Sequence, residues 1–156
     1  MQRISFQELP EGFYRTMSEV EQYINNCGLE LRFLELIRYR ISLINHCAYC
    51  LDMHFKEAIH HGEEPLRLYS LAAWKETGYF SEKEALGLEL AERLTELSGS
   101  HVDDELYQRL RQHFSKQEIG HLTLAIAHIN SWNRITQCFR PEPGKYKVQK
   151  QVTVQA

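Results

Sequence analysis

The 156-residue chain is expected to be all-α, a single-domain helical bundle of about six to seven helices, on the strength of three observations. Apolar residues recur at three- and four-residue spacing through one segment after another. Two capping boxes, Ser81 with Glu84 and Ser115 with Glu118, place a hydroxyl three residues ahead of a carboxylate just before apolar-periodic runs. Outside the tail, no stretch alternates apolar and polar residues as a half-buried strand would. The length suits one domain with a real core and is short for two.

Residues 1–10 read as an extended N-terminal segment, 11–140 as the helical domain and 141–156 as a C-terminal arm. From about Glu11 to Asn26, Phe13, Met17, Val20 and Ile24 share a face, and Gly28 supplies a left-handed stop. From Glu30 to about Asn45, Leu34, Ile37, Ile41 and Ile44 have the period of a buried helical stripe. The next helix runs from about Cys47 to His60 or His61, and Gly62 closes it. Pro65 suits the first turn of a helix carrying Leu68, Leu71, Ala72 and Trp74. After the Ser81 box, Leu86, Leu90, Ala91 and Leu94 carry a helix to near Gly99, and a shorter one spans about Asp103 to Phe114. The Ser115 box opens the last helix, from Lys116 to about Cys138, with Ile119, Leu122, Ile126 and Ile129 inward. Pro141, Pro143 and Gly144 forbid its continuation, so the tail is an arm that is ordered only where it packs on the domain.

A net charge of -3 with scattered Lys and Arg offers no field for phosphates, so nucleic acid is not an expected partner. No apolar run approaches the roughly 20 residues of a membrane-spanning helix. The N-terminal MQRISFQELPEGFY lacks the apolar core of a signal peptide, and the expectation is a soluble, cytoplasmic protein. Four cysteines do not make a disulfide scaffold at this length. In a reducing compartment a close pair points instead to catalysis or metal binding.

Such a pair stands in CAYCLDMH, where Cys47 and Cys50 are followed by His54 at a helix start. Residues three and four apart share a helical face, so all three side chains can line one wall. Two thiols this close can pass between dithiol and disulfide without moving the fold. Unpaired N–H groups and the dipole at the helix start favour thiolate over thiol. His54 on that face can relay a proton near neutral pH. The competing reading is structural zinc, with His46, His60 or His61 as a fourth ligand. Against it, the ligands fall within one short helical stretch rather than on separated knuckles. Leu51 after Cys50 excludes attached haem, and the missing strands disfavour a thioredoxin-like domain. His60 and His61 read as helix-end residues suited to the dipole, and Cys27 and Cys138 as bystanders. Glu35, twelve residues before Cys47, lies with Tyr39, Ser42 and His46 beside the aliphatic stripe. Periodicity alone makes it a solvated carboxylate paired with Arg38 or Tyr39.

Taken together, Glu35, Cys47, Cys50 and His54 at these spacings resemble the site motif of the alkyl hydroperoxidase D (AhpD)-like branch of the carboxymuconolactone decarboxylase family. ELIRYRISLINHCAYCLDMH, SEKEALGLELAERLT and AIAHINSWNRI are also similar to that family in order and spacing, covering roughly residues 13 to 139. The resemblance implies an all-helical fold assembling as a homotrimer or homohexamer, and a peroxidase activity needing no cofactor. Cys50 would be the attacking thiolate, Cys47 the thiol that condenses with its sulfenic acid, and Glu35 a general base acting through water and His54. A dithiol reductant, a lipoylated or thioredoxin-like protein, would restore the pair. Tyr49 departs from the pattern, because better-known members carry a histidine there and a phenol is no base near neutral pH. His46 is a candidate to compensate. The decarboxylase branch lacks the cysteine pair, whose presence argues against lactone decarboxylation. Asn130, Trp132, Asn133 and Arg134 resemble a family stretch read here as packing.

Three function classes follow: a dithiol peroxidase for hydrogen peroxide or organic hydroperoxides in antioxidant defence, a protein disulfide oxidoreductase or redox sensor using the same pair, and a non-redox zinc-binding or structural oligomer. Tyr79 and Phe80 are expected as exposed aromatics suited to an interface.

Overall fold

A computed structural model describes residues 2–99 and 101–148; the arm beyond 148 lies outside the described residues. Among them are seven α-helices and no strand: α1 Phe13–Asn25, α2 Leu31–Ile44, α3 Ala48–His60, α4 Pro65–Ser70, α5 Glu82–Thr95, α6 Asp104–His113 and α7 Lys116–Phe139. Short 3-10 helices occupy Phe6–Glu8 and Leu71–Glu76. Helix α2 is the axis of the bundle, packing on α3, α5 and α7, and every residue from Phe33 to Tyr39 is buried. A helix enclosed on all sides should be apolar all round. Glu35 and Arg38 break that rule, and they mark the site.

Both predicted capping boxes form. Ser81 N–H donates to Glu84 Oε2 at 2.8 Å and Glu84 N–H returns to Ser81 Oγ at 3.3 Å. The Ser115 box has the same pair of bonds at 2.7 and 3.1 Å. Helix α5 stops at Thr95 rather than near Gly99, because Leu97, the one apolar side chain beyond it, faces solvent and has no core to join. The helix that begins at Pro65 breaks at Ala73, where φ is -129° and ψ is 35°. Leu71 and Trp74, three apart, are both buried, and a 3-10 path puts such residues on one line. Trp74 Nε1 donates to Glu92 at 2.6 Å and holds that path.

Described segments on either side of the seven helices close over the bundle. Arg3 N–H donates to Phe139 O at 2.8 Å, and Phe6 meets Trp132 edge to face at 6.2 Å. After α7, Gly144 N–H donates to Asp52 Oδ2 at 2.9 Å, while Lys56 Nζ donates to the carbonyls of Gly144 and Tyr146. The described part of the arm is therefore clipped along α3. Phe80, expected as an exposed aromatic, is half-buried under the Arg67 guanidinium at 4.8 Å, whereas Tyr79 is exposed.

Candidate active site

The turn between α2 and α3 places the cysteines. Asn45 Nδ2 donates to Asn130 Oδ1 at 2.9 Å and to Asn133 Oδ1 at 2.8 Å, and Gln137 Nε2 donates to Asn45 O at 2.6 Å. Asn133 Nδ2 reaches back to Ser42 Oγ on α2. These bonds from α7 pin a turn in which His46 takes a left-handed φ of 53°, a conformation that costs a non-glycine residue on the order of 1 kcal/mol. Cys47 then becomes the N-cap of α3, its sulfur accepting Cys50 N–H at 3.3 Å. Cys47 and Cys50 form a disulfide with their Cα atoms 5.3 Å apart, well inside the range such bonds require.

Behind the cysteines runs a chain of buried charges. Glu35 Oε2 lies 2.7 Å from His54 Nδ1 and its Oε1 lies 2.5 Å from Arg38 Nη1. Arg38 Nη2 continues to Glu21 Oε1 at 2.6 Å and Asn25 Oδ1 at 2.8 Å. Burial alone would raise the Glu35 pKa, but the charges of Arg38 and His54 and their hydrogen bonds outweigh it and bring it to about 2. An ionised carboxylate only accepts, so Nδ1 of His54 carries the hydrogen it shares. Nε2 is buried and without a partner among the described residues, in a side chain that borders the cavity of Cys50. His128 Nε2 lies 3.0 Å from both Glu21 Oε2 and Trp132 Nε1. One ring nitrogen cannot donate to a carboxylate and accept from an indole together, so these two contacts alternate with the tautomer.

The two sulfurs open on different spaces. Cys50 and His54 border a cavity of about 530 Å³ whose walls include Tyr14, Tyr49, Trp132 and Tyr146. Cys47 borders a wider recess of about 910 Å³ between His46, Gln137 and the Arg140–Pro143 segment. Tyr49 and Thr136 touch both. Burial, Tyr14 and Asp52 raise the Tyr49 pKa, so its phenol stays neutral and acts only through hydrogen bonds. Burial and a hydrogen bond to Glu57 raise that of Tyr146 further.

Cys47, Cys50, His54 and Glu35 are thus brought together. Glu35 is buried and ion-paired, not solvated as periodicity alone implied, because α3 packs on α2 and brings His54 to one of its oxygens while Arg38 takes the other. His46 is exposed on the Cys47 side, away from His54. His60 and His61 border the cavity of Cys50 as well as ending α3. Cys27 and Cys138 are free thiols. Among the described residues no group of three or more His, Cys, Asp or Glu side chains is placed to hold a metal ion. Sequence reasoning missed Thr136, Glu21 and Tyr146, which reach the site from helices and an arm remote in sequence. Of these only Thr136 left a trace, following Trp132 and Asn133 by helical steps.

The model of the carboxymuconolactone decarboxylase family matches residues 11–93. The chain belongs to that family. The uncharacterized protein YdfG of Bacillus subtilis is 41% identical over 136 residues, which is 86% of this chain and 92% of YdfG. The crystal structure of ATU0492 from Agrobacterium tumefaciens, a protein of unknown function assigned to AhpD-type antioxidant defence, superposes with a TM-score of 0.88 at 34% identity. The match covers 94% of this chain and 100% of that one. The debrominase Bmp8 shares the fold at a TM-score of 0.73 and 16% identity, over 84% of this chain and 70% of its own. The chain is an AhpD-like member of the carboxymuconolactone decarboxylase family.

Proposed function

We propose that this protein is a dithiol peroxidase that reduces organic hydroperoxides or hydrogen peroxide. The observation that carries the reading is a cysteine pair in bonding position whose second sulfur shares a cavity with an imidazole bearing a free Nε2. Cys50 thiolate attacks the terminal peroxide oxygen, the O–O bond breaks, and the alkoxide leaves with a proton as an alcohol or water. Cys47 then attacks the resulting sulfenic acid, expelling water and closing the disulfide. A dithiol donor reduces that disulfide and is itself oxidised.

In this reading His54 Nε2 takes the thiol proton through an intervening water and returns it to the leaving oxygen, and Glu35 fixes the tautomer from behind. A carboxylate held near 2 is a weak base, which favours an orienting part for Glu35 over direct proton abstraction. The 530 Å³ cavity is roomy for hydrogen peroxide and has the size of an organic ligand site. Neutral Tyr49 is available to donate a hydrogen bond to the leaving oxygen. In this proposal the protein is cytoplasmic, as expected from its sequence, and, by family likeness, a homotrimer or homohexamer served by a lipoylated or thioredoxin-like dithiol.

The test is thiol counting with peroxide consumption on reduced protein. Wild type is expected to lose two thiols per peroxide, Cys50→Ser to consume none, and Cys47→Ser to stop at a sulfenic acid. A Cys50→Ser variant that turns over peroxide normally rules the mechanism out. A second reading, exchange with a protein disulfide, is favoured by the wide recess beside Cys47. Thiols that stay reduced under peroxide yet reduce a protein disulfide would replace the first reading with the second.

A further inference from the structure

Thr136 is a buried hydroxyl on α7 with more acceptors than it can serve. Its Oγ1 lies 3.0 Å from Cys47 Sγ and 3.2 Å from Cys50 Sγ. The same oxygen lies 2.8 Å from the Trp132 carbonyl and 3.1 Å from that of Asn133. A threonine hydroxyl has one proton to give. In the disulfide neither sulfur is charged, and a backbone carbonyl is the better acceptor. Reduction changes the competition, because a thiolate accepts far more strongly than a neutral carbonyl.

The two sulfurs are not equally placed to claim that proton. Cys47 Sγ already accepts Cys50 N–H as the cap of α3. Cys50 Sγ has the Thr136 hydroxyl as its sole hydrogen-bond partner among the described residues. We infer that Thr136 is a catalytic residue, whose hydroxyl swings from the Trp132 carbonyl to the Cys50 sulfur on reduction and stabilises the attacking thiolate. The inference deepens the peroxidase reading and rests on it for the word catalytic. The ionisation it concerns can be measured without peroxide. Stabilising a thiolate also stabilises the reduced form against the disulfide, so the hydroxyl makes the pair more oxidising.

The experiment replaces Thr136 by Val, which keeps the shape and removes the hydroxyl, by Ala as a second hydroxyl-free variant, and by Ser, which restores the donor. Reduced proteins are alkylated with iodoacetamide across pH, and fragment-ion mapping reads Cys50 separately from the other cysteines. Val and Ala should raise the Cys50 midpoint by about one pH unit, the worth of a charge-assisted hydrogen bond. They should also shift the dithiothreitol equilibrium toward the disulfide by roughly tenfold. Serine should return both quantities to near wild type. A merely structural role would lower melting temperature in Val and Ala without moving either readout. Unchanged midpoints in a folded Val or Ala protein overturn the inference, and a shift with a wild type that turns over no peroxide would keep the thiolate contact while ending both the peroxidase reading and the catalytic role.

Discussion

Glu35 keeps its charge among apolar neighbours because Arg38 and His54 each take one of its oxygens. Its pKa falls from an ordinary 4.5 to about 2, so the folded state holds this proton less tightly than the unfolded chain. The stability that results is fully present above about pH 4.5 and is lost as pH falls through 2, an effect of about 3 kcal/mol. Glu35→Gln removes that dependence and leaves Arg38 with less compensation. Urea unfolding should show the variant less stable than wild type by about 3 kcal/mol at pH 7, with the gap closing toward pH 2. A gap that stays constant with pH would mean the carboxylate is not ionised as described. The cysteines and His54 were legible in the sequence because a helix places each about one turn from the next. Glu35 was named only through the family resemblance, and its burial was not legible, because a helical wheel sees one helix and the imidazole that pairs with it is supplied by α3. Arg38 looked like a surface partner for the same reason.

Where elements meet, Gly87 makes the strongest demand. A Cβ at this position of α5 would lie 2.5 Å from Cζ of Phe33 on α2. Phe33 cannot yield easily, being 5% exposed and stacked on Phe114 at 6.0 Å. Gly87→Ala gains about 1 kcal/mol of helix propensity and loses about 1–3 kcal/mol to overpacking. The net expected is a lower midpoint of chemical denaturation, measured by far-ultraviolet circular dichroism; a higher midpoint would show that Phe33 has room to turn. Helix existence was readable from periodicity, and α5 and α7 began where their capping boxes said. Helix ends were less readable. The break at Ala73 depends on Trp74 finding Glu92, eighteen residues away, and no local propensity encodes that bond.

For the whole molecule, the outer face of α4 stands out. Leu66 and Tyr69, three residues apart, are 58% and 68% exposed. Such a face fits the expected self-association. Sedimentation velocity should show a trimer or hexamer for wild type and a smaller species for Leu66→Asp with Tyr69→Asp; a wild-type monomer would end the expectation. The fold class was legible because burial in a helical bundle repeats locally, and the resemblance supplied Glu35, Cys47, Cys50 and His54, whereas Thr136, Glu21 and Tyr146 needed the tertiary structure. Glu35 comes from α2, Cys50 and His54 from α3 and Thr136 from α7, the last reaching Cys50 across 86 residues of sequence. Until those three helices dock, Cys47 and Cys50 are ordinary thiols in a flexible loop, without cap, imidazole partner or hydroxyl. In the proposed reading, whatever Cys50 does beyond an ordinary thiol is acquired at the moment of folding. An opened chain keeps its cysteines but not that constellation, so under the proposed function it is peroxide consumption, and not thiol content, that reports how much of the population has reached the native state.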